Sequence, residues 1–344
     1  MFKRILVPVD GSARAERAIA VAARLVQASG GSVILLRVVN NTNDIWIGGL
    51  PPRTQVDTQF APGLTQAEKY LEHLATSPIL ETIPTEIVVQ VGSPAHVILS
   101  VADTYQADLI TLCSHGATGM TRWFLGSVAE KVARHAFLPV LVLREGGPVP
   151  ASPHPDASRP LRILVTLDGS AYAKAALLPA ANVIAALAYP AQGAMHLVRV
   201  IPPFPSLAEE VLDDRPRPTL LRARAYLKRT VEHLREGLVA PTANHLNLAF
   251  SWSVAVDTDA AEAIVRVAEN GEDAEGAGVF GGCDVIAIAT HGLSGLHRLA
   301  LGSVTERVLA ATRLPLLIVR PPAMSNEHPA NWAQKTTMSP AIQL

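Results

Sequence analysis

The sequence predicts an α/β chain built from two tandem copies of one doubly wound domain, and three observations carry that expectation. A strand ending in Asp-Gly-Ser occurs twice, as Arg4-Ile5-Leu6-Val7-Pro8-Val9-Asp10-Gly11-Ser12 and as Arg162-Ile163-Leu164-Val165-Thr166-Leu167-Asp168-Gly169-Ser170. A second landmark follows each in the same order, Leu138-Pro139-Val140-Leu141-Val142-Leu143-Arg144 and Leu314-Pro315-Leu316-Leu317-Ile318-Val319-Arg320. Between the landmarks, apolar strand-like runs alternate with Ala-rich helical stretches, the pattern of parallel strands joined by right-handed crossovers.

In the first copy the alternation starts with a strand over residues 3–9 and a helix over 13–28. A second strand covers 32–39, and a long loop over 40–63 leads to a helix near 65–76. The third strand is 86–91, followed by a helix over 94–105 and a fourth strand over 108–113. A loop and a helix over 128–136 precede the last strand, 140–144. The second copy repeats this order with extra length, much of it at residues 269–282, an acidic, glycine-rich stretch that reads as a flexible surface loop. Residues 147–160, dense in Pro, Gly and Ser, read as a linker. The organisation expected is therefore a first domain over 1–146, the linker, a second domain over 161–322 and a loose tail over 323–344.

Composition narrows the function. Hydrophobic residues make up 49% of the 344, and only 5% are aromatic, which suits buried strands under Ala- and Leu-rich helices. With 29 basic against 30 acidic residues there is no basic excess of the kind that binds nucleic acid. No apolar run approaches the ~20 residues of a membrane span, and the N-terminus enters a strand without a signal-peptide pattern. Two cysteines in so long a chain, Cys113 and Cys283, point away from a disulfide framework and toward a reducing compartment, so a cytoplasmic protein is expected.

In an open parallel sheet, ligands sit beyond the carboxyl ends of the strands, where strand order reverses. The first strands end there in Asp10 and Asp168. The fourth end in Cys113-Ser114-His115-Gly116-Ala117-Thr118-Gly119, running to Gly126-Ser127, and in Ala289-Thr290-His291-Gly292-Leu293-Ser294-Gly295, running to Gly302-Ser303. Glycines leave backbone N–H groups uncovered, and the helix that opens at Ser127 or Ser303 adds unpaired N–H groups and the positive end of its dipole. Together these form an anion site, most simply one for phosphate.

These motifs resemble the universal stress protein family in its tandem, nucleotide-binding form. The family's phosphate motif is Gly, two residues, Gly, nine residues, then Gly-Ser or Gly-Thr. Gly116 with Gly126-Ser127 fits it, as does Gly292 with Gly302-Ser303, while the first glycine is replaced by Cys113 and by Ala289. The resemblance implies two Rossmann-like domains, each with a five-stranded parallel sheet of order 3-2-1-4-5. It implies ATP as ligand, with Mg or Mn accompanying the phosphates. Asp10 and Asp168 would contact the ribose or adenosine side, and Val38 and Val200 would meet adenine through their backbone. Gly116, Gly126, Ser127 and Val128 would cradle phosphates in the first copy; Gly292, Gly302, Ser303 and Val304 would do so in the second. The larger Cys113 side chain makes the second copy the better expected site. The last strands, 140–144 and 316–320, would pair the two copies within the chain as in a homodimer, with further association of two chains left open.

Structural readings stand beside these. Ser127 with Glu130, and Ser303 with Glu306, also form capping boxes; the matched glycines are not required by a capping box and favour phosphate. Asp10 and Asp168 are good N-caps, yet Ser12 and Ser170 are equally good ones. His115 and His291 read as structural, Cys113 as an inert small hydrophobe, and Cys283 as exposed beside the flexible insert. The chain lacks a Walker A lysine and any carboxylate pair for metal-assisted phosphoryl transfer. The expected function is an ATP-binding regulator of stress or dormancy responses without catalytic residues; a slow ATPase and a nucleotide-free dimerising scaffold are the alternatives.

Overall fold

The computed structural model describes residues 1–40, 53–114, 125–150, 159–203, 218–240, 242–275, 278–290 and 301–321. Gly116, Gly292, His115, His291, residues 151–158 of the expected linker and the expected tail lie outside them.

The first copy contains β1 (Arg4–Val9), α1 (Ala13–Gln27), β2 (Ser32–Val39), α2 (Arg53–Ala75), β3 (Thr85–Val91), α3 (Pro94–Thr104), β4 (Leu109–Cys113), α4 (Ser127–His135) and β5 (Val140–Leu143). The second contains β6 (Arg162–Thr166), α5 (Leu177–Ala188) entered through a 3-10 turn at Ala173–Ala176, β7 (Gly193–Ile201), α6 (Pro218–Arg235), β8 (Leu248–Val256) and α7 (Ala260–Asn270). It continues with the short β9 (Glu272–Ala274) and β10 (Gly278–Phe280), then β11 (Val285–Ala289), α8 (Ser303–Ala311) and β12 (Leu316–Val319). Helix α2 starts well before the expected position: Pro62 and Gly63, which read as the end of a loop, lie inside it.

Ten of the strands form one sheet, in the order β3-β2-β1-β4-β5-β12-β11-β6-β7-β8. Each half has the 3-2-1-4-5 order, with every pairing inside a half parallel. The seam is the one antiparallel pairing in this sheet: Val142 faces Leu316, Leu141 faces Leu317 and Val140 faces Ile318. All eight seam residues of β5 and β12 are buried, so each edge covers the other and neither is left as an open template.

Alternation along the strands sorts the core into two layers. Ile5, Val7 and Val9 join α1 and α5 on one face, and Leu6, Ile110 and Val142 join α3, α4, α7 and α8 on the other. Each layer contains residues of both copies and runs unbroken across the seam. A polar contact reinforces it: the buried Arg144 of the first copy donates from Nε to the Thr312 carbonyl of the second at 3.1 Å.

The insert differs from expectation. Strands β9 and β10 pair antiparallel, with Gly278 facing Ala274 and Phe280 facing Glu272. Ala274 and Phe280 are buried, and Glu275 is held by the Trp252 carbonyl at 3.0 Å and by Arg224 at 2.7 Å. Gly271 and Gly282, both at positive φ, make the close turns at its ends. Cys283, expected to be exposed, is buried beneath it at 5% exposure.

Candidate functional site

At the end of β1 the backbone turns through Gly11, with φ +85°. Asp10 Oδ1 accepts hydrogen bonds from the Ser12 N–H (3.0 Å) and hydroxyl (2.6 Å), and Ser12 Oγ in turn accepts from the Ala15 N–H. The serine is therefore the helix cap, and the aspartate holds the turn that presents it. The second copy repeats this: Asp168 Oδ1 accepts from the Ser170 N–H at 2.8 Å, and Ser170 Oγ from the Ala173 N–H at 3.1 Å.

The phosphate-loop candidates are anchored alike in both copies. The Gly126 N–H donates to the Ser114 carbonyl at 2.7 Å, and the Gly302 N–H to the Thr290 carbonyl at 2.8 Å. Each loop is thus pinned at its return to the end of the strand it left. Gly126 and Gly302 have extended backbone and are the N-caps, without a side-chain capping bond. Ser127 and Ser303 are the first helical residues, so the expected capping boxes do not form. Glu130 and Glu306 turn instead to Arg134. A Cβ on Gly302 would lie 2.9 Å from the Thr290 carbonyl oxygen, too close for any other residue without displacement.

In the first copy these parts converge. A cavity of about 760 Å³ lies beyond the ends of β1, β2 and β4 and gathers Asp10, Val38, Gly126, Ser127 and Val128, residues drawn from the end of β1, from β2 and from the start of α4. Cys113 lines it without filling it, because its thiol donates to the Arg14 carbonyl at 2.8 Å, on the α1 side. Burial pushes that thiol up to about 11, so it is neutral there. In the second copy Asp168, Val200, Gly302, Ser303 and Val304 occupy the matching ends of β6, β7 and β11. Among the described residues no group of three or more His, Cys, Asp or Glu side chains could hold a metal ion.

A wall of the site was not anticipated. Arg37, near the end of β2, reaches back over Gly11 and stands 6.0 Å from the Tyr70 ring of α2, and the Tyr70 hydroxyl donates to Glu16 of α1 at 2.8 Å. Arg199 of β7 covers Gly169 in the same way and stands 5.3 Å from the Tyr226 ring of α6, with Lys174 at 5.3 Å from the same ring. Burial raises both tyrosine pKa values, that of Tyr226 to about 12. The signal was present in the sequence: Arg37-Val38 and Arg199-Val200 each place a cation in an otherwise apolar strand.

The sequence profile of the universal stress protein family matches residues 1–144 and 161–320, one full copy in each half. The chain belongs to the universal stress protein family. Universal stress proteins from Thermus aquaticus (34% identical over 146 residues) and Bacillus subtilis (28% over 148) are each matched over their whole length by 42% of this chain. Single-copy relatives of this family thus correspond to half of it. Two solved structures span both halves. A universal stress protein from Archaeoglobus fulgidus is 20% identical with TM-score 0.56, covering 92% of this chain and 96% of its own. One from Pseudomonas aeruginosa is 15% identical with TM-score 0.55, covering 93% and 94%. At that identity the likeness is one of fold. Among the described residues no helix is long and apolar enough to cross a membrane.

Proposed function

We propose that this universal stress protein binds an adenine nucleotide, ATP foremost, and that occupancy changes its interactions with other proteins in stress or dormancy responses. The first-copy cavity carries the reading. Its volume lies within the range of small-molecule sites, and it joins an aspartate at one strand end to a glycine-capped helix N-terminus at another. Uncovered N–H groups at the start of α4 suit phosphate, and Asp10 and the backbone of Val38 suit the nucleoside. In the second copy Gly302, Ser303 and Val304 would take the phosphates, and Asp168 and Val200 the nucleoside. A Mg or Mn ion would ride on the phosphates, since hard cations of this kind are commonly shared between phosphate and water. Occupancy can alter partner binding only if the ligand favours one of two states of the protein.

The test is to denature freshly purified protein, identify any released nucleotide by chromatography, and titrate stripped protein with ATP and Mg by calorimetry. Binding that Gly126→Val and Gly302→Val each reduce supports the reading. No heat at millimolar ATP, together with no released nucleotide, ends it.

A further inference from the structure

The ten-stranded sheet ends on the third strand of each copy, β3 on one side and β8 on the other, and the two ends are finished differently. Along β8 the Gly193 N–H donates to the Asn247 carbonyl and the Asp257 N–H to the Ile201 carbonyl, so odd-numbered residues turn their backbone groups toward β7. The even-numbered ones point outward. Among these, the Trp252 carbonyl at the middle of the strand accepts from the Glu275 N–H at 3.0 Å, and Arg224 holds the Glu275 side chain. The insert that only the second copy carries thus stands across that edge.

β3 has no such cover among the described residues. Ile87 holds the place of Trp252, since Ile87 pairs with Leu35, three residues before Val38, and Trp252 with Leu197, three before Val200. The Val33 N–H donates to the Pro84 carbonyl and the Gly92 N–H to the Val39 carbonyl, so here the even-numbered residues face β2. The N–H and C=O groups of Thr85, Ile87, Val89 and Val91 therefore point away from the sheet, with no backbone partner among the described residues. Edges of this kind are commonly blunted by proline, lysine or a bulge. β3 carries none of these, pairs with β2 without interruption over its seven residues and leaves Ile87 36% exposed.

The order of residues names the occupant. Thr85-Glu86-Ile87-Val88-Val89-Gln90-Val91 reads alike from either end: a β-branched residue, a polar one, then aliphatic ones about Val88. Two copies laid antiparallel about Val88 would set Ile87 against Val89 and Thr85 against Val91. In each such pair both residues present outward groups and exchange both N–H···O bonds. Glu86 would face Gln90, so no like charges meet. A two-fold contact requires such self-complementarity, whereas a foreign strand does not. We propose that two chains associate through β3, edge to edge and antiparallel, across a two-fold axis at Val88. The chain already makes one contact of this form within itself, at the β5–β12 seam. With the insert across β8, each chain offers one open edge, so the association stops at two chains. Nucleotide binding plays no part in this contact.

The test is sedimentation velocity on the full chain over a concentration series into the high micromolar range, where a dimer fraction that rises with concentration is expected. Val89→Pro deletes only an outward N–H, which the β2 ladder does not use, and Ile87→Lys sets a charge on the edge. Each should raise the dimer dissociation constant about tenfold or more. The double variant Glu86→Cys with Gln90→Cys tests the register. Facing positions of this non-hydrogen-bonded kind bring Cα atoms to about 4.5 Å, within disulfide reach. Along one strand the same two positions lie about 13 Å apart, so no bond closes within a chain. Mild oxidation should link the double variant into a covalent dimer and leave each single variant unlinked. Thermal melts establish that the variants are folded; were Val89→Pro to unfold, Ile87→Lys and the cysteine pair decide. A chain that stays monomeric throughout overturns the inference and leaves the edge to a strand of another protein. A dimer that both edge variants leave unchanged overturns it too, as does oxidation that links the single variants as readily as the double one.

Discussion

The Arg134 guanidinium of the first copy lies 3.1 Å from the Glu306 carboxylate of the second, and the same nitrogen lies 2.9 Å from Glu130. Glu130 and Glu306 hold equivalent places in the first turns of α4 and α8, so one arginine ties together the two helices whose N-termini face the candidate phosphate sites. The three side chains are 30–47% exposed, which limits what the bridge contributes. Arg134→Ala should lower stability by about 0.5–1 kcal/mol at low salt and by less at high salt. Urea unfolding at two ionic strengths checks this; a loss that grows with salt would contradict it.

Gly302 has space for hydrogen only, since a Cβ would come within 2.9 Å of the backbone oxygen that its own N–H must reach. Gly302→Ala should cost about 1–3 kcal/mol as the α8 start moves away from Thr290. On the proposed function it should also reduce bound nucleotide in the second copy alone, read as stoichiometry per chain.

His196 is fully buried in β7, with Nδ1 2.8 Å from the Ser251 hydroxyl and Nε2 2.8 Å from that of Ser253. Burial, aided by Arg162, pushes its pKa down to about 3, so the ring is neutral in the folded protein. The unfolded chain takes up this proton near pH 6.5, before the folded one does. The contribution is therefore complete above about pH 6.5 and is lost as pH falls toward 3, with a limiting slope of about 1.4 kcal/mol per pH unit. His196→Leu should be less stable at neutral pH, because the buried Ser253 hydroxyl and the half-buried one of Ser251 lose their partner. Its stability should nevertheless depend less on pH by one proton across that window. A pH series of urea melts decides the matter, and equal slopes would rule out the buried neutral imidazole.

The two thiols should differ in reactivity from an exposed cysteine and from each other. Burial pushes Cys113 up to about 11 and Cys283 up to about 12. Cys113 lines the cavity and is half-buried, so a thiol reagent at pH 8 should modify it slowly. Cys283 should react only on unfolding. Counting modified thiols against time, with and without urea, separates the two. On the proposed function, ATP should slow Cys113 further.

Much of this was legible because it repeats. The Asp-Gly-Ser turns and the Gly-Ser helix starts each occur twice in register, and a strand-end motif survives in sequence wherever its backbone geometry is required. The wall of Arg37, Tyr70 and Glu16 was not legible, because its members come from three elements and meet only after the crossover helices fold back on the sheet. The β9–β10 pair was missed for another reason. Strands of three residues are too short to show alternation, and the buried Phe280 was outweighed by the acidic and glycine residues around it. Pro62 and Gly63 misled in the opposite direction, since both lie inside α2 despite their poor helix propensity.

The antiparallel seam of β5 and β12 points the strand ends of the two copies in opposite directions, so the two candidate sites open at opposite edges of one ten-stranded sheet. Had the same seam joined two identical chains, every substitution in one mouth would have appeared in the other, and symmetry would have forbidden them to differ. A single polypeptide removes that restriction. Matched positions such as Glu16 and Lys174 can then diverge separately on a shared core.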